Sequence, residues 1–213
     1  MYIQALLWDL DGVIVDSGEL HYESWRQVCP DYQLPFSREL FKQIFGMNNE
    51  SCVSTLLGRP APDGFWQEVS RRKEEIFRQL LHGNVTILPG VKHWLELGSE
   101  KGLRQAVASS APKENIEVTL TEGQISNYFS AIISAYEKPG KPDPWVFLEA
   151  AKSLQVDPVQ CVVIEDSLMG IEAARRAGAK CLAVETTNSR DVLLKSTADW
   201  VFDRLPISFP WLS

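Results

Sequence analysis

The chain has 213 residues, of which 45% are hydrophobic and 23% charged, and this composition excludes a disordered or fibrous protein. Acidic residues number 28 and basic residues 21, the formal net charge is -7, and there is no basic block, so we expect no nucleic-acid partner. The start of the chain lacks a basic stretch followed by a long apolar run, and the four cysteines are widely separated. We therefore expect a cytoplasmic protein with free thiols and no membrane anchor.

Short apolar runs of strand length recur along the chain, and most of them are apolar on both faces, as in strands of a parallel sheet. Helical patterns lie between the runs, and the alternation predicts a doubly wound α/β domain with right-handed crossovers. The predicted strands are Ile3–Trp8, Gln105–Ser109, Ala131–Ser134, Cys161–Ile164, Cys181–Val184 and Trp200–Phe202. The predicted helices of this domain are Val91–Lys101, Pro144–Leu154 and Met169–Ala177.

The stretch from Ser17 to Asn84 interrupts this alternation, because it contains amphipathic helical patterns separated by Pro and Gly and no convincing strand. It is too long to be a loop between two strands. We therefore predict an α/β core formed by residues 1–15 and 86–213 and an inserted helical domain formed by residues 16–85. The helices predicted in the insertion are Glu19–Val28, Arg38–Phe45, Glu50–Leu57 and Gly64–Leu81.

The first predicted strand runs directly into two aspartates, in the segment Asp9-Leu10-Asp11-Gly12-Val13. Ligands of an open α/β sheet bind beyond the carboxyl ends of its strands, so Asp9 and Asp11 would lie where chemistry is expected. An Asp-Gly pair between apolar runs is also a hairpin-turn signal, which would make Asp9 a solvated edge residue. Both alternatives stay open on these residues alone.

Polar residues follow three later elements as well. Ser109 ends the second strand, where its hydroxyl would either bind an anion or cap a helix. Lys141 lies between prolines, in a segment that either restrains this lysine or forms a surface loop. Glu165 and Asp166 follow a buried strand, and a helix cap is the alternative there.

If these strand ends meet, four carboxylates would share one crevice, which is unfavourable unless a cation lies among them. Oxygen ligands without His or Cys favour a hard ion such as Mg²⁺ over zinc. A lysine and a serine close by would supply the positive charge and the hydroxyl donor that a phosphoryl group needs. The residues concerned are Asp9, Asp11, Glu165, Asp166, Lys141 and Ser109.

The order of these motifs resembles that of the haloacid dehalogenase superfamily, in the branch of phosphatases and beta-phosphoglucomutase-like proteins with a helical cap. The matching motifs are Asp-x-Asp-Gly-Val at residues 9–13, Ser109, Gly140-Lys141-Pro142-Asp143-Pro144, and Glu-Asp-Ser-x-x-Gly at residues 165–170. The resemblance covers essentially the whole chain. It implies a Rossmann-like core with an inserted cap and an enzyme that hydrolyses phosphoric monoesters.

The resemblance also implies roles for individual residues. Asp9 matches the nucleophile that forms an aspartyl-phosphate, and Asp11 matches the general acid/base, whose backbone carbonyl would contact the metal. Asp166 matches a metal ligand, with Glu165 beside it as a second ligand or a neighbour. Lys141 matches the lysine that orients the nucleophile and neutralises charge. The implied metal, bound by Asp9, Asp11, Asp166 and Glu165, is Mg²⁺.

Other residues bear on the substrate. Ser109 matches the hydroxyl that holds the phosphoryl oxygens, aided by the backbone of Ser110. Asn49 stands where beta-phosphoglucomutases carry an arginine that grips a second phosphate, and an amide brings no charge. His21 matches a histidine of the mutases, with a solvated residue on the first cap helix as the alternative. Replacement charge could come from Arg59, Arg71, Arg72 and Lys73, but we expect these cations to solvate a helix face, as most such side chains do.

The sequence therefore predicts a cytoplasmic, monomeric, Mg²⁺-dependent phosphatase that acts on small phosphorylated metabolites such as sugar phosphates or phosphoglycolate, with no nucleic-acid or membrane partner. A phosphosugar mutase resembling beta-phosphoglucomutase is the first alternative, which His21 favours and Asn49 disfavours. A binding or regulatory protein without catalysis is the second, and the complete set of motif residues argues against it.

Overall fold

The computed structural model describes residues 2–211 of the chain. The chain divides into two compact units. The first is discontinuous in sequence and consists of Met1–Asp16 and Thr86–Ser213, and the second consists of Ser17–Val85.

The first unit is built on one six-stranded sheet in which all neighbouring strands are parallel. The strands are β1 (Ala5–Trp8), β2 (Arg104–Ser109), β3 (Ala131–Ser134), β4 (Cys161–Glu165), β5 (Lys180–Val184) and β6 (Trp200–Phe202). Their order is β3-β2-β1-β4-β5-β6, and β1 and β4 are buried along their whole length because their sequences are almost continuously apolar. The prediction of a doubly wound α/β fold is confirmed.

Strand β1 lies where the strand order reverses, with β2 and β3 on one side and β4 to β6 on the other. Such a reversal opens a crevice outside the carboxyl ends of the strands that flank it. Trp8 at the end of β1 is in register with Val107 of β2 and Ile164 of β4, so the residues after these strands meet at one edge of the sheet. Because β1 pairs in parallel with both neighbours, the hairpin alternative for Asp11 and Gly12 is wrong.

The second unit is helical and has its own apolar core, which includes Trp25, Val53 and Ile76. Its helices are α1 (Gly18–Val28), α2 (Arg38–Ile44), α3 (Asn49–Leu57) and α4 (Phe65–Leu81). Helix α3 begins where Oδ1 of Asn48 accepts the backbone N–H of Ser51 at 2.9 Å. Asn48 is therefore the capping residue, and the side chain of the next residue, Asn49, is engaged elsewhere.

The α-helices that the described residues 2–211 form in the first unit are α5 (Val91–Glu100), α6 (Lys113–Glu122), α7 (Trp145–Ser153), α8 (Leu168–Ala177) and α9 (Arg190–Leu193). Phe147 of α7 and Ile171 of α8 share one buried apolar cluster with Leu7 of β1 and Val163 of β4. This packing fixes the helices on the sheet and the loops that precede them at its carboxyl edge. Within residues 2–211, no helix is both long and apolar enough to cross a membrane.

Candidate active site

Three buried carboxylates meet at the carboxyl ends of β1 and β4. Asp9 follows β1, Glu165 is the last residue of β4, and Asp166 comes directly after it. One carboxylate oxygen from each of the three lies within 4.8 Å of the others. The adjacency of β1 and β4 creates this cluster, and the backbone N–H of Asp9 donates to the carbonyl of Ile164 at 3.1 Å across the strand ends.

Lys141 lies inside this cluster. Its Nζ donates to Oδ1 of Asp9 at 2.6 Å and to Oε1 of Glu165 at 2.6 Å. The lysine side chain is only 9% exposed, and Nζ lies 5.1 Å from the centre of the Phe147 ring. The surface-loop alternative for Lys141 is therefore wrong, because the segment that precedes α7 directs this side chain into the acidic cluster.

The charges of the cluster perturb one another. Burial raises the pKa of Asp9 well above its ordinary value of 3.8, Lys141 opposes this rise, and the charges of Glu165 and Asp166 add to it. Burial alone would lower the pKa of Lys141, but its two carboxylate partners outweigh burial and raise that pKa above the ordinary 10.5. The ammonium is therefore charged at neutral pH, and it compensates only part of the negative charge around it.

Both oxygens of Glu165 have partners from the chain itself. Oε1 accepts from Lys141, and Oε2 accepts the backbone N–H groups of Asp166 at 2.9 Å and Ser167 at 2.8 Å as well as the Ser167 hydroxyl at 2.9 Å. A Cβ built on Gly170 would lie 1.8 Å from Oε1, so only glycine lets the carboxylate lie against the first turn of α8. These contacts favour a role for Glu165 in holding Lys141 over direct contact with a metal.

Asp166 is held by the loop that follows β5. Its Oδ2 accepts the Thr187 hydroxyl at 2.5 Å, the Thr186 hydroxyl at 3.0 Å and the Thr187 backbone N–H at 3.2 Å. The side-chain amide of Asn188 donates to the backbone carbonyl of Asp166 at 3.1 Å. These three residues were not among the predicted site residues. Their position directly after the strand next to β4 is the signal that could have identified them.

The pKa of Asp166 is raised from 3.8 to about 7. Burial is the main cause and the charge of Glu165 adds to it, while hydrogen bonds from Thr187 and Thr186 and the charge of Lys141 act in the opposite direction. A cation close to this carboxylate would oppose the same rise, so the charge state of Asp166 and cation binding are linked.

Asp11 and Gly12 lie in the turn after β1. Asp11 is half-buried, and within residues 2–211 the group of three carboxylates that could hold a metal does not include it. Gly12 has a φ of 81°, which favours glycine, and a Cβ there would lie 2.1 Å from Oδ2 of Asp166. The turn therefore approaches Asp166 so closely that position 12 excludes a side chain. The roles of Asp11 as acid/base and as a carbonyl ligand of the metal stay predictions.

Ser109 ends β2, next to β1 in the sheet, and is buried. Its Oγ accepts the backbone N–H of Ala111 at 3.0 Å, whereas α6 begins at Lys113, so the helix-cap alternative for Ser109 is wrong. Ser110 follows Ser109 in the same loop. The carbonyl of Ala111 also accepts the hydroxyl of Ser134, the last residue of β3, at 2.6 Å. The loop that carries both predicted phosphate-binding residues is thus fixed on two sides.

His21 and Asn49 lie in the helical unit, where two residues of α4 link them. Nδ2 of Asn49 donates to Oε1 of Glu74 at 2.8 Å, and Nζ of Lys73 lies 3.0 Å from the same oxygen and 2.8 Å from Nδ1 of His21. The His21 ring stacks on Phe77 with ring centres 4.0 Å apart. Lys73 is buried, so the prediction that it solvates the helix surface is wrong. His21 is a packed residue of this cluster, which corrects the solvated alternative.

A sequence model described as haloacid dehalogenase-like hydrolase matches residues 6–184, which include every predicted catalytic and metal-binding position. The chain belongs to the haloacid dehalogenase-like hydrolases. The resemblance stated from the sequence motifs is confirmed, and so is the assignment of the chain to the hydrolase class of enzymes.

The relatives of this haloacid dehalogenase-like hydrolase include both phosphatases and mutases. A phosphorylated carbohydrates phosphatase of Thermotoga maritima is 30% identical over 92% of the chain and 92% of its own length. The beta-phosphoglucomutase of Bacillus subtilis is 29% identical over 95% of the chain and 94% of its own length. The crystal structure of beta-phosphoglucomutase from Clostridium difficile superposes with a TM-score of 0.86 at 27% identity, covering 99% of the chain and 95% of that structure. Overall similarity therefore does not separate the two activities, and individual residues must.

Proposed function

We propose that the chain is a cytoplasmic, monomeric, Mg²⁺-dependent phosphatase that hydrolyses small phosphorylated metabolites of the sugar-phosphate or phosphoglycolate type through an aspartyl-phosphate. The observation that carries the proposal is the placement of Lys141 between Asp9 and Glu165, beside Asp166. This arrangement suits a carboxylate nucleophile, because a fixed ammonium partly neutralises its charge.

The donor chemistry of the cluster fits a hard divalent cation. Asp9, Glu165 and Asp166 offer only oxygen atoms, and Lys141 is the ammonium bonded within the group. When all three carboxylates are ionised, they and the one ammonium leave two negative charges uncompensated. Mg²⁺ would balance these charges, and it prefers oxygen ligands of this kind. Asp9 and Asp166 would hold the ion, which when bound neutralises charge on the phosphoryl oxygens.

In the first half of the reaction, an oxygen of Asp9 attacks phosphorus and the bond from phosphorus to the substrate alcohol oxygen breaks. Asp11 gives its proton to that departing oxygen. Lys141 opposes protonation of Asp9 and orients its carboxylate through the 2.6 Å hydrogen bond to Oδ1, so that Oδ2 is the attacking atom. The hydroxyl of Ser109 and the backbone of Ser110 bind the phosphoryl oxygens as charge develops on them.

In the second half, Asp11, now a carboxylate, takes a proton from water. The water oxygen attacks phosphorus, and the bond between phosphorus and the Asp9 oxygen breaks. Inorganic phosphate leaves, and both aspartates return to their starting charge states. Glu165 contacts neither substrate nor water in this scheme, because it holds Lys141 and the backbone of Asp166 and Ser167.

A mutase is the second candidate, and similarity to two beta-phosphoglucomutases favours it. In a mutase, a phosphorylated intermediate must be held by its second phosphate, which calls for cationic side chains. Asn49 is neutral, and Lys73, the buried cation that shares the Glu74 carboxylate with it, is paired with Glu74. We therefore favour capture of the phosphoryl group by water. We also propose that the helical unit is a cap that selects the substrate, with His21 and Asn49 as substrate-binding residues.

Product analysis separates the two candidates. The purified chain is incubated with beta-glucose 1-phosphate, Mg²⁺ and a trace of glucose 1,6-bisphosphate, and inorganic phosphate and glucose 6-phosphate are quantified together. Phosphate release that exceeds glucose 6-phosphate formation supports the phosphatase. Formation of glucose 6-phosphate faster than phosphate release would overturn it in favour of the mutase.

A further inference from the structure

The loop after β5 directs several donors to a single oxygen of Asp166. Two donors come from Thr187, its hydroxyl and its backbone N–H, and the Thr186 hydroxyl lies 3.0 Å from the same Oδ2. Thr186 also lies 2.5 Å from the backbone carbonyl of Gly12, so its hydroxyl joins the turn after β1 to the loop after β4. Three loops at the carboxyl edge of the sheet thus converge on one carboxylate.

This pattern distinguishes the two oxygens of Asp166. A carboxylate oxygen has lone pairs for about two strong hydrogen bonds, and the hydroxyl and backbone N–H of Thr187 use those of Oδ2. The single hydroxyl proton of Thr186 is shared between the Gly12 carbonyl and Oδ2. A cation bound by Asp166 would then be held through Oδ1. The hydroxyls also fix the plane of the carboxylate, because Oδ2 can move only by losing them.

We propose that Thr186 and Thr187 are positioning residues that hold Asp166 in the geometry needed to bind a hard divalent cation through Oδ1. The proposal rests on the proposed function, since it concerns the same cation site. Groups that hold metal ligands by hydrogen bonds commonly change metal affinity by about 10- to 100-fold when they are removed. Neither threonine is required to contact the metal or the substrate.

The two threonines are well suited to substitution. Both are exposed, whereas Asp166 is buried, so a change at either position removes a donor without opening a cavity in the core. Valine matches threonine in shape and lacks only the hydroxyl, and serine keeps the hydroxyl. Thr121 is a matched control, because it is also exposed and its hydroxyl donates to the carbonyl of Glu117 within α6.

The test measures Mg²⁺ binding directly, by isothermal titration calorimetry on chelator-treated full-length protein. We expect Thr187→Val to weaken Mg²⁺ binding by about tenfold or more, and the double variant T186V/T187V to weaken it further. Thr187→Ser should bind within about twofold of the unmutated protein, as should Thr121→Val. Metal-free melting curves of all variants check that the fold is retained.

The outcomes separate this inference from the proposed function. If Asp166→Asn abolishes Mg²⁺ binding while T186V/T187V binds like the unmutated protein, the positioning role is wrong and the cation site stands. If Thr187→Ser is as weak as Thr187→Val, the hydroxyl is not the cause and the inference fails as well. If Asp166→Asn binds Mg²⁺ normally, the cation site itself is wrong and the proposed function loses its metal.

Discussion

The proposed chemistry depends on the carboxylate of Asp9. Asp9→Asn keeps the shape of the side chain and removes the charge that attacks phosphorus, so hydrolysis of p-nitrophenyl phosphate should fall below detection. The fold should persist, because burial and neighbouring carboxylates disfavour the charge that is lost. Asp63→Asn, at an exposed turn of the helical unit, is the control and should keep full activity. Near-normal turnover by Asp9→Asn would rule out the covalent mechanism.

The raised pKa of Asp166 predicts how the stability of the metal-free protein depends on pH. The ordinary pKa of this group is 3.8, and in the folded protein it is about 7, so the folded state binds the extra proton between these values. The contribution of Asp166 to the free energy of unfolding is therefore largest below about pH 4 and is lost as pH rises to about 7. The free energy of unfolding falls over this range by at most about 1.4 kcal/mol per pH unit.

Asp166→Asn tests this slope. Urea unfolding at several pH values in the presence of a chelator should show that the variant gains stability relative to the unmutated protein as pH rises from about 5 to about 7. Adding Mg²⁺ should stabilise the unmutated protein above about pH 7, where the carboxylate is charged, and should leave Asp166→Asn unaffected. A stability difference between the two proteins that does not change with pH would contradict the burial of a titrating Asp166.

Helix α8 packs against Glu165 of strand β4 at Gly170, so a substitution of this glycine tests how closely the two elements must pack. A methyl group there would lie 1.8 Å from Oε1 of Glu165, and the same oxygen accepts from Lys141. Gly170→Ala should therefore destabilise the fold by about 1–3 kcal/mol through overpacking and should also lower kcat by displacing Lys141.

Gly18 is the matched control, because it begins α1 and a Cβ there would meet Phe45 at an ordinary distance of 3.8 Å. Gly18→Ala should leave the free energy of unfolding unchanged or raise it slightly. If Gly170→Ala were as harmless as Gly18→Ala, the close packing of Glu165 on α8 would not be required for the site.

The elements that were predictable from the sequence are those with a periodic apolar pattern. Strands β1 and β4 are continuous apolar runs, and their parallel pairing follows from the alternation of strands and helices. Helix α6 was not predicted, because polar Asn115 and Thr119 are on its buried side and weaken the apolar stripe. Helix α9 is too short to show a helical period.

The site residues that were predictable from the sequence are those placed by the apolar strands. Asp9, Glu165 and Asp166 directly follow or end buried strands, so the topology of the sheet alone brings them together. The contacts of Thr187 depend on loop conformation, and its position after β5 is the one sequence signal for them. The contacts of Lys73 depend on helix packing, and nothing in its local sequence marks them. Lys73 in particular belongs to a charged stretch of α4 that looks like a solvated face, yet it is buried beside Glu74.

At the scale of the whole molecule, residues 206–211 pack against α5 of the first unit. Phe209 is fully buried and packs against Trp94 of α5 and Trp211, with ring centres 4.7 and 4.9 Å away. The indole N–H of Trp94 donates to the carbonyl of Pro206 at 2.5 Å. Contacts between residues that are distant in sequence thus join residues 206–211 to α5.

Phe209→Ala should lower the free energy of unfolding by about 3–5 kcal/mol, as expected for the loss of a buried aromatic ring. Ile207→Ala is the control two residues away, because Ile207 is 88% exposed and its loss should change stability by no more than about 0.5 kcal/mol. Chemical denaturation followed by tryptophan fluorescence measures both. Equal stability of the two variants would show that the C-terminal segment does not support the core.

The proposed phosphatase activity depends on a divalent cation bound at the buried acidic cluster. Its most direct test is the release of inorganic phosphate from a panel of phosphorylated sugars and phosphoglycolate by chelator-treated protein, measured before and after Mg²⁺ is restored. We predict no release without the metal, release from at least one substrate when Mg²⁺ is added, and none from Asp9→Asn under the same conditions. Undiminished phosphate release by the chelator-treated protein, or release that Asp9→Asn retains, would contradict the account.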